Sequence, residues 1–196
     1  MSGYVHFEKK KKRLRELYNR FETEAREYKK PAVCKPGCAY CCTHFGSMDI
    51  ITLEGVIIRQ HVNSFAKPLK SGVKKKIAQN RKLKEKQKIA QCPFLKKDQT
   101  CLIYNIRPFS CRQLYSLREC EGRGPTVHRQ AVDLAQNTVK KLQHLDYTGY
   151  SGHISFILHL LDKPEFRNLY MAGGFDPGQI MEFGKSHGII INRSKL

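Results

Sequence analysis

Eight cysteines, all between residues 34 and 120, constrain this chain more than any other feature. They stand at Cys34, Cys38, Cys41, Cys42, Cys92, Cys101, Cys111 and Cys120, with none in the first 33 residues or the last 76. Scattered core packing of a small apolar side chain does not empty both ends of a chain in this way. In a reducing compartment such thiols are metal ligands or catalytic groups more often than a disulfide framework. The N-terminal MSGYVHFEKKKKRLR is charged, with no apolar stretch behind it, unlike a secretory leader. No run approaches the ~18 apolar residues of a membrane span. The expected setting is therefore the cytoplasm, with no membrane partner.

The first group reads Cys34-Lys-Pro-Gly-Cys38-Ala-Tyr-Cys41-Cys42. Spacings of two and three residues let thiolates converge on one metal, and Pro36-Gly37 supplies the bend. Adjacent Cys41 and Cys42 diverge by about 100° on a helix, so one of them is free to serve a second site or to bridge two metals. The second group is Cys92-Pro-Phe-Leu, then Cys101-Leu-Ile-Tyr-Asn-Ile-Arg107-Pro108-Phe-Ser-Cys111-Arg112, then Cys120. Pro108 suits the first position of a short helix that would carry Cys111. Arg107 and Arg112 read either as cations bracing backbone or as charges offsetting a thiolate-rich site. His44, two residues after Cys42, is the only histidine near the first group. Two four-thiolate sites and one cluster with reserve thiols both remain open. Zinc and iron, the latter including a [4Fe-4S] cluster, both accept four thiolates.

GCAYCC, CPFL, CLIYNIRP-x-x-CR and CEGRG-P-x-V, in this order, closely resemble the YkgJ-type cysteine-cluster family, to which flagellin N-methylase is related. The resemblance spans roughly residues 34–127 and places all eight cysteines on motif positions. It implies a zinc- or iron-chelating domain with these cysteines as ligands, and it supplies no agreed reaction. One departure is visible. The family runs from Cys-Arg into an apolar-Tyr-Pro stretch, whereas this chain has Cys111-Arg-Gln-Leu-Tyr115-Ser. Cys34-x3-Cys38-x2-Cys41 with Tyr40 also matches the cluster motif of radical S-adenosylmethionine enzymes, but no repeated strand–helix units follow it.

With 40% hydrophobic residues the chain can bury a core, and its 196 residues suit one domain. Helical spacing of Leu14, Leu17, Tyr18, Phe21, Ala25 and Tyr28 predicts an amphipathic helix over 7–30. A second helix is expected from Thr52, as N-cap, to Val62 with Glu54 in its first turn, and a third over about 71–90 capped by Ser71 after a break at Pro68. Residues 92–120 read as a small hairpin and a helical turn. Further helices are expected from near Thr126, over 154–161 with Pro164 at or after its end, and from Asp176-Pro177. The predicted fold is mainly α, a compact helical domain with a cysteine-rich loop and short-hairpin layer holding metal. Its parts are a basic helix (1–33), the cysteine-cluster region (34–127) and a C-terminal helical part of the same domain (128–196).

Charge is uneven. Of 36 Lys and Arg, 22 lie in residues 1–91, against 8 of 17 Asp and Glu. Positive helices attract phosphate backbones, so nucleic acid or another polyanion is a candidate partner beside the metal ion. Two functions follow. One is a binding module whose metal is structural or redox-type. The other is an iron–sulfur-dependent group-transfer enzyme resembling a protein N-methylase, for which the chain shows no paired carboxylates, Ser-His-Asp pattern or nucleotide loop. Catalytic residues cannot be named from the sequence.

Overall fold

Buried Phe7, Leu14, Leu17, Tyr18 and Phe21 form one face of the N-terminal segment, which is helical from Ser2 to Glu24 (α1). Fully buried Ala25 interrupts it before α2 (Arg26–Lys29), so the expected single helix over 7–30 starts earlier and is broken near its end. The computed structural model describes residues 2–45, 48–86, 88–178, 184 and 190–191.

A short strand, β1 (Asp49–Ile51), runs directly into α3 (Thr52–Asn63). Thr52 is not the N-cap. Ile51 holds that position, and its N–H donates to Glu54 at 2.9 Å. The Thr52 hydroxyl instead accepts from Tyr150 N–H at 2.8 Å and donates to Tyr150 C=O at 3.1 Å. Helix α4 covers Lys67–Glu85, not 71–90, because Pro68 sits in its first turn, where a missing N–H costs nothing. Residues 92–120 hold an antiparallel bridge between Leu95 and Cys101, a 3-10 turn (Tyr104–Ile106) and α5 (Phe109–Arg112). Here a small hairpin and a helical turn are what the sequence predicted.

Helix α6 covers Arg129–Leu145, starting three residues after Thr126, and His128 caps it by accepting from Gln130 N–H. β2 (Tyr150–His153) leads straight into α7 (Ile154–Asp162). Pro164 then opens a further helix, α8 (Pro164–Met171), which the sequence reading missed. At Asp176 the carboxylate accepts from Gly178 N–H, and the helix expected from there lies outside the described residues. β3 (Ile190–Ile191) completes an antiparallel sheet of order β1-β2-β3, with Ile50 opposite Gly152 and Ser151 opposite Ile190.

The architecture is mostly helical, centred on α7, whose Ile154, Phe156, Ile157, Leu158, Leu160 and Leu161 are all buried. A helix apolar on every side must be surrounded, and α7 packs on α3, α4, α8 and the first two strands. Gly55 permits the α3 contact, since a Cβ there would lie 2.8 Å from both Ile157 Cγ2 and Leu161 Cδ1. α1 packs on α6 and α8. Beneath it, fully buried Asp146 accepts from Leu53 N–H at 2.8 Å and Tyr170 O–H at 2.6 Å, with Lys10 Nζ at 3.6 Å. Among the described residues no helix is long and apolar enough to cross a membrane.

Candidate metal centre

The loop after α2 is tied down by backbone. Val33 N–H donates to Ser116 C=O at 2.9 Å, and Cys38 N–H closes a turn onto Lys35 C=O at 2.9 Å. Gly37 sits at φ +87° in that turn, a left-handed conformation that favours glycine. Cys41 and Cys42 then begin a single π-helical turn, Cys41–Phe45. Such turns recur at functional sites because they re-aim side chains within a helical segment.

Cys92 N–H donates to Cys42 C=O at 2.7 Å, which brings the second cysteine segment onto the first. Leu102 N–H to Phe94 C=O and Lys96 N–H to Thr100 C=O, both 2.9 Å, close the hairpin that carries Cys92 and Cys101. At its tip Asp98 accepts from the hydroxyl and the N–H of Thr100 and from Lys96, which holds its carboxyl down to about 2. Cys111 lies in α5, where Pro108 is the N-cap and not, as expected, the first helical residue. Phe109 N–H donates to the buried Glu54 carboxylate at 2.7 Å, and the Phe109 ring meets Phe21 edge-on at 4.8 Å. Glu54 also accepts from Tyr18 O–H and Ile51 N–H, so one carboxylate ties α1, α3 and the Cys111 turn together.

These anchors sort the eight thiols into two sets of four. Cys34 is hydrogen-bonded to Cys38, feels the charge of Cys120, and takes an N–H from Ser116. Cys41 interacts with Cys120, Cys34 and Cys38, and only through its chain neighbour Cys42 with the other set. Cys42 is hydrogen-bonded to Cys92, Cys92 feels Cys111, and Cys101 and Cys111 both feel Cys42. The sets are thus Cys34, Cys38, Cys41 and Cys120, and Cys42, Cys92, Cys101 and Cys111. Of the first group, Cys42 is the thiol that meets Cys92, Cys101 and Cys111, while Cys41 meets Cys34, Cys38 and Cys120.

Burial pushes the Cys41 thiol up to about 11 and Cys111 up to about 12, and it also raises Cys34 and Cys101. Cys42 is the exception. Its hydrogen bond from Cys92 brings it down to about 7, and the same bond raises Cys92 well above the ordinary thiol value. Without a cation the neutral thiol is therefore favoured at Cys34, Cys41, Cys92, Cys101 and Cys111, and neighbouring thiolates oppose their ionisation. All eight are free of disulfides.

A cavity of about 680 Å³ runs between the sets, and seven of the eight cysteines line it. Arg107 and Arg112 also border it, and they divide the two readings offered by the sequence. Arg112 braces backbone, donating to Arg107 C=O at 2.9 Å and stacking over Tyr18 at 4.6 Å. Arg107 stacks on Tyr104 at 4.0 Å and its charge also favours the Cys101 thiolate. His44 is exposed, bonded to Thr43 Oγ1 and stacked on Tyr40. Among the described residues no three His, Cys, Asp or Glu side chains stand close enough to enclose one ion as they are. The donor chemistry does fit a soft or borderline metal, with seven thiols on the cavity wall and its one carboxylate, Glu22, paired with Lys29 at 2.7 Å.

Two residues of this site were hidden in the sequence. Glu54 read only as an acid in the first turn of a helix, and Tyr18 as one member of an apolar stripe. No local pattern shows that both reach Phe109.

Fold and site together define a helical chain that gathers soft ligands around a shared cavity. The chain belongs to the CxxCxxCC family, described as a "putative zinc- or iron-chelating domain", whose model matches residues 33–142. No curated protein and no solved structure matches the chain.

Proposed function

We propose that the protein binds metal at two adjacent four-thiol centres, one of Cys34, Cys38, Cys41 and Cys120, the other of Cys42, Cys92, Cys101 and Cys111. The observation that carries this reading is the division of the thiols at the Cys41–Cys42 peptide. Closely packed thiolates repel one another, and a cation that replaces their protons removes that repulsion while tying together loops that bury little themselves. Four thiolates saturate a tetrahedral zinc ion or a [4Fe-4S] cluster, which makes the centres structural or redox-type and the segment 34–127 their platform. A second reading, an iron–sulfur-dependent group transfer, draws on the cavity, which leaves room beside the thiols for a further molecule.

Anaerobic purification with metal analysis and absorption spectra of serine variants tests the proposal. Replacing Cys38 or Cys120 should remove about half of the bound metal, replacing Cys101 or Cys111 the other half, and one from each set all of it. Complete loss from any single replacement would show one shared centre, and full retention would show that the thiols are not ligands. X-ray absorption separates the two readings. Four sulfurs per metal, at about 2.3 Å for zinc, support the closed centre, and a lighter atom in the shell supports the open one.

A further inference from the structure

Helix α4 and its C-cap Lys86 carry nine lysines and arginines, and four of them serve the fold. Lys70 donates to Asn63 C=O, Lys76 to Leu95 C=O, Arg81 pairs with Glu85 at 2.7 Å, and Lys84 faces Asp49. The other five, Lys67, Lys74, Lys75, Lys82 and Lys86, are exposed and make no ion pair among the described residues. At 100° per residue they fall into two rows, Lys67 and Lys74 on one side and Lys75, Lys82 and Lys86 roughly 90° round. Small Ser71 and Ala78 lie between the rows. The result is a shallow valley roughly 28 Å long with ammonium groups on both banks. The basic face of α1 is different. Lys11, Arg13 and Arg20 are paired with Glu8, Glu16 and Glu24, and Lys10 is turned inward onto Asp146, which leaves three exposed cations without an ion pair among the described residues, Lys9, Lys12 and Arg15, against five on α4.

We propose that this face of α4 is a binding surface for double-helical nucleic acid, holding one sugar–phosphate strand along the valley without reading sequence. Charge complementarity selects the partner, because α4 has a single acid, Glu85, and Arg81 already holds it. The absence of any aromatic residue from α4 leaves nothing for unpaired bases to stack on, so the regular phosphate row of a duplex suits it better than a single strand. The proposal is independent of the thiol centres.

The test is fluorescence polarisation of the full chain on a labelled mixed-sequence duplex of about 20 base pairs, across potassium chloride concentrations. Five phosphate contacts predict a slope of log K against log salt of about −4 to −5. Replacing Lys67, Lys74, Lys75, Lys82 and Lys86 together by glutamine should weaken binding at least tenfold and flatten the slope by about 4. Removing the same charge from α1, through Lys9, Lys12, Arg13, Arg15 and Arg20 to glutamine, should change affinity by less than about threefold. If the fivefold α4 variant loses its helical circular dichroism, the exposed pair K75E/K82E carries the same test. Equal losses in the α1 and α4 variants, tighter binding of a single strand, equal competition by polyglutamate, or binding to anionic vesicles but not to duplex would each overturn the proposal.

Discussion

Replacing Glu54 by alanine should destabilise the protein severely, because it leaves three buried donors without an acceptor. The carboxylate is fully buried and accepts from Ile51 N–H at 2.9 Å, Phe109 N–H at 2.7 Å and Tyr18 O–H. Each stranded donor costs about 1–3 kcal/mol, so Glu54→Ala should cost roughly 3–6 kcal/mol after local relaxation. That is a large share of the ~5–15 kcal/mol available to an ordinary domain. Glu54→Gln is milder. One amide oxygen can still serve Tyr18 and Phe109, while the amide N–H₂ faces Ile51 N–H, a loss of about 2 kcal/mol. Tyr18→Phe removes a single donor and should cost about 1 kcal/mol. Equilibrium urea unfolding followed by circular dichroism measures all three. The slope should be unchanged, and the midpoint should fall least for Tyr18→Phe, further for Glu54→Gln and furthest for Glu54→Ala. The same carboxylate anchors the turn that carries Cys111, so metal loss in Glu54→Gln should affect that thiol set before the other. A cost below about 1 kcal/mol for Glu54→Ala, or a glutamine variant no better than the alanine one, would refute the view that these hydrogen bonds hold the site.

Two glycines should respond in opposite directions. A Cβ at Gly149 would overlap the Asp146 carboxylate and approach Thr52, so Gly149→Ala should lower stability by about 1–3 kcal/mol. Gly72, inside α4 with nothing within 4 Å of its Cβ position, should gain about 0.5–1 kcal/mol as alanine, both read from thermal or urea midpoints. Strong chelation should open residues 92–125 to protease before the long helices, since the segment's own secondary structure is one isolated bridge and two single helical turns. Unchanged protease resistance there after verified metal removal would count against a structural centre.

Long amphipathic segments were legible because their periodicity is written locally. Leu14, Leu17, Tyr18 and Phe21 show which face of α1 is buried without reference to any partner. Boundaries failed where a residue serves a distant neighbour. Thr52 has the chemistry of an N-cap, but its hydroxyl is taken by Tyr150, 98 residues away. Pro68 and Pro164 read as breaks and are first-turn residues, since proline is compatible with both roles. The sheet was invisible because its strands are two to four residues long, and neither β1 nor β2 alternates in burial. At the site the identity of the thiols was plain and their grouping was not. Cys120 joins Cys34 and Cys41 through space, and the long stretch of chain between Cys42 and Cys120 carries no local sign of it.

The grouping is decided by backbone anchors on either side of one peptide bond. Consecutive helical side chains point about 100° apart, so Cys41 and Cys42 face different ways whatever surrounds them. Cys42 C=O takes the N–H of Cys92, and this fixes the hairpin, with Cys101 at its far side, against the face to which Cys42 points. Glu54 then holds Phe109 so that Cys111 closes the same face from below. On the other face Val33 and Cys34 are tied to Ser116, and Ser116 in turn receives Thr126 N–H on its hydroxyl, which curls the loop bearing Cys120 back toward Cys41. Apart from the Cys34 sulfur on Ser116 N–H, none of these anchors is itself a thiol. The fold itself therefore places the two sets, and under the proposed two-centre reading a metal would add only the last closure of four sulfurs onto one point. Long loops do not oppose this, because the entropy of closing them grows only with the logarithm of their length, while the anchors have already brought their ends together.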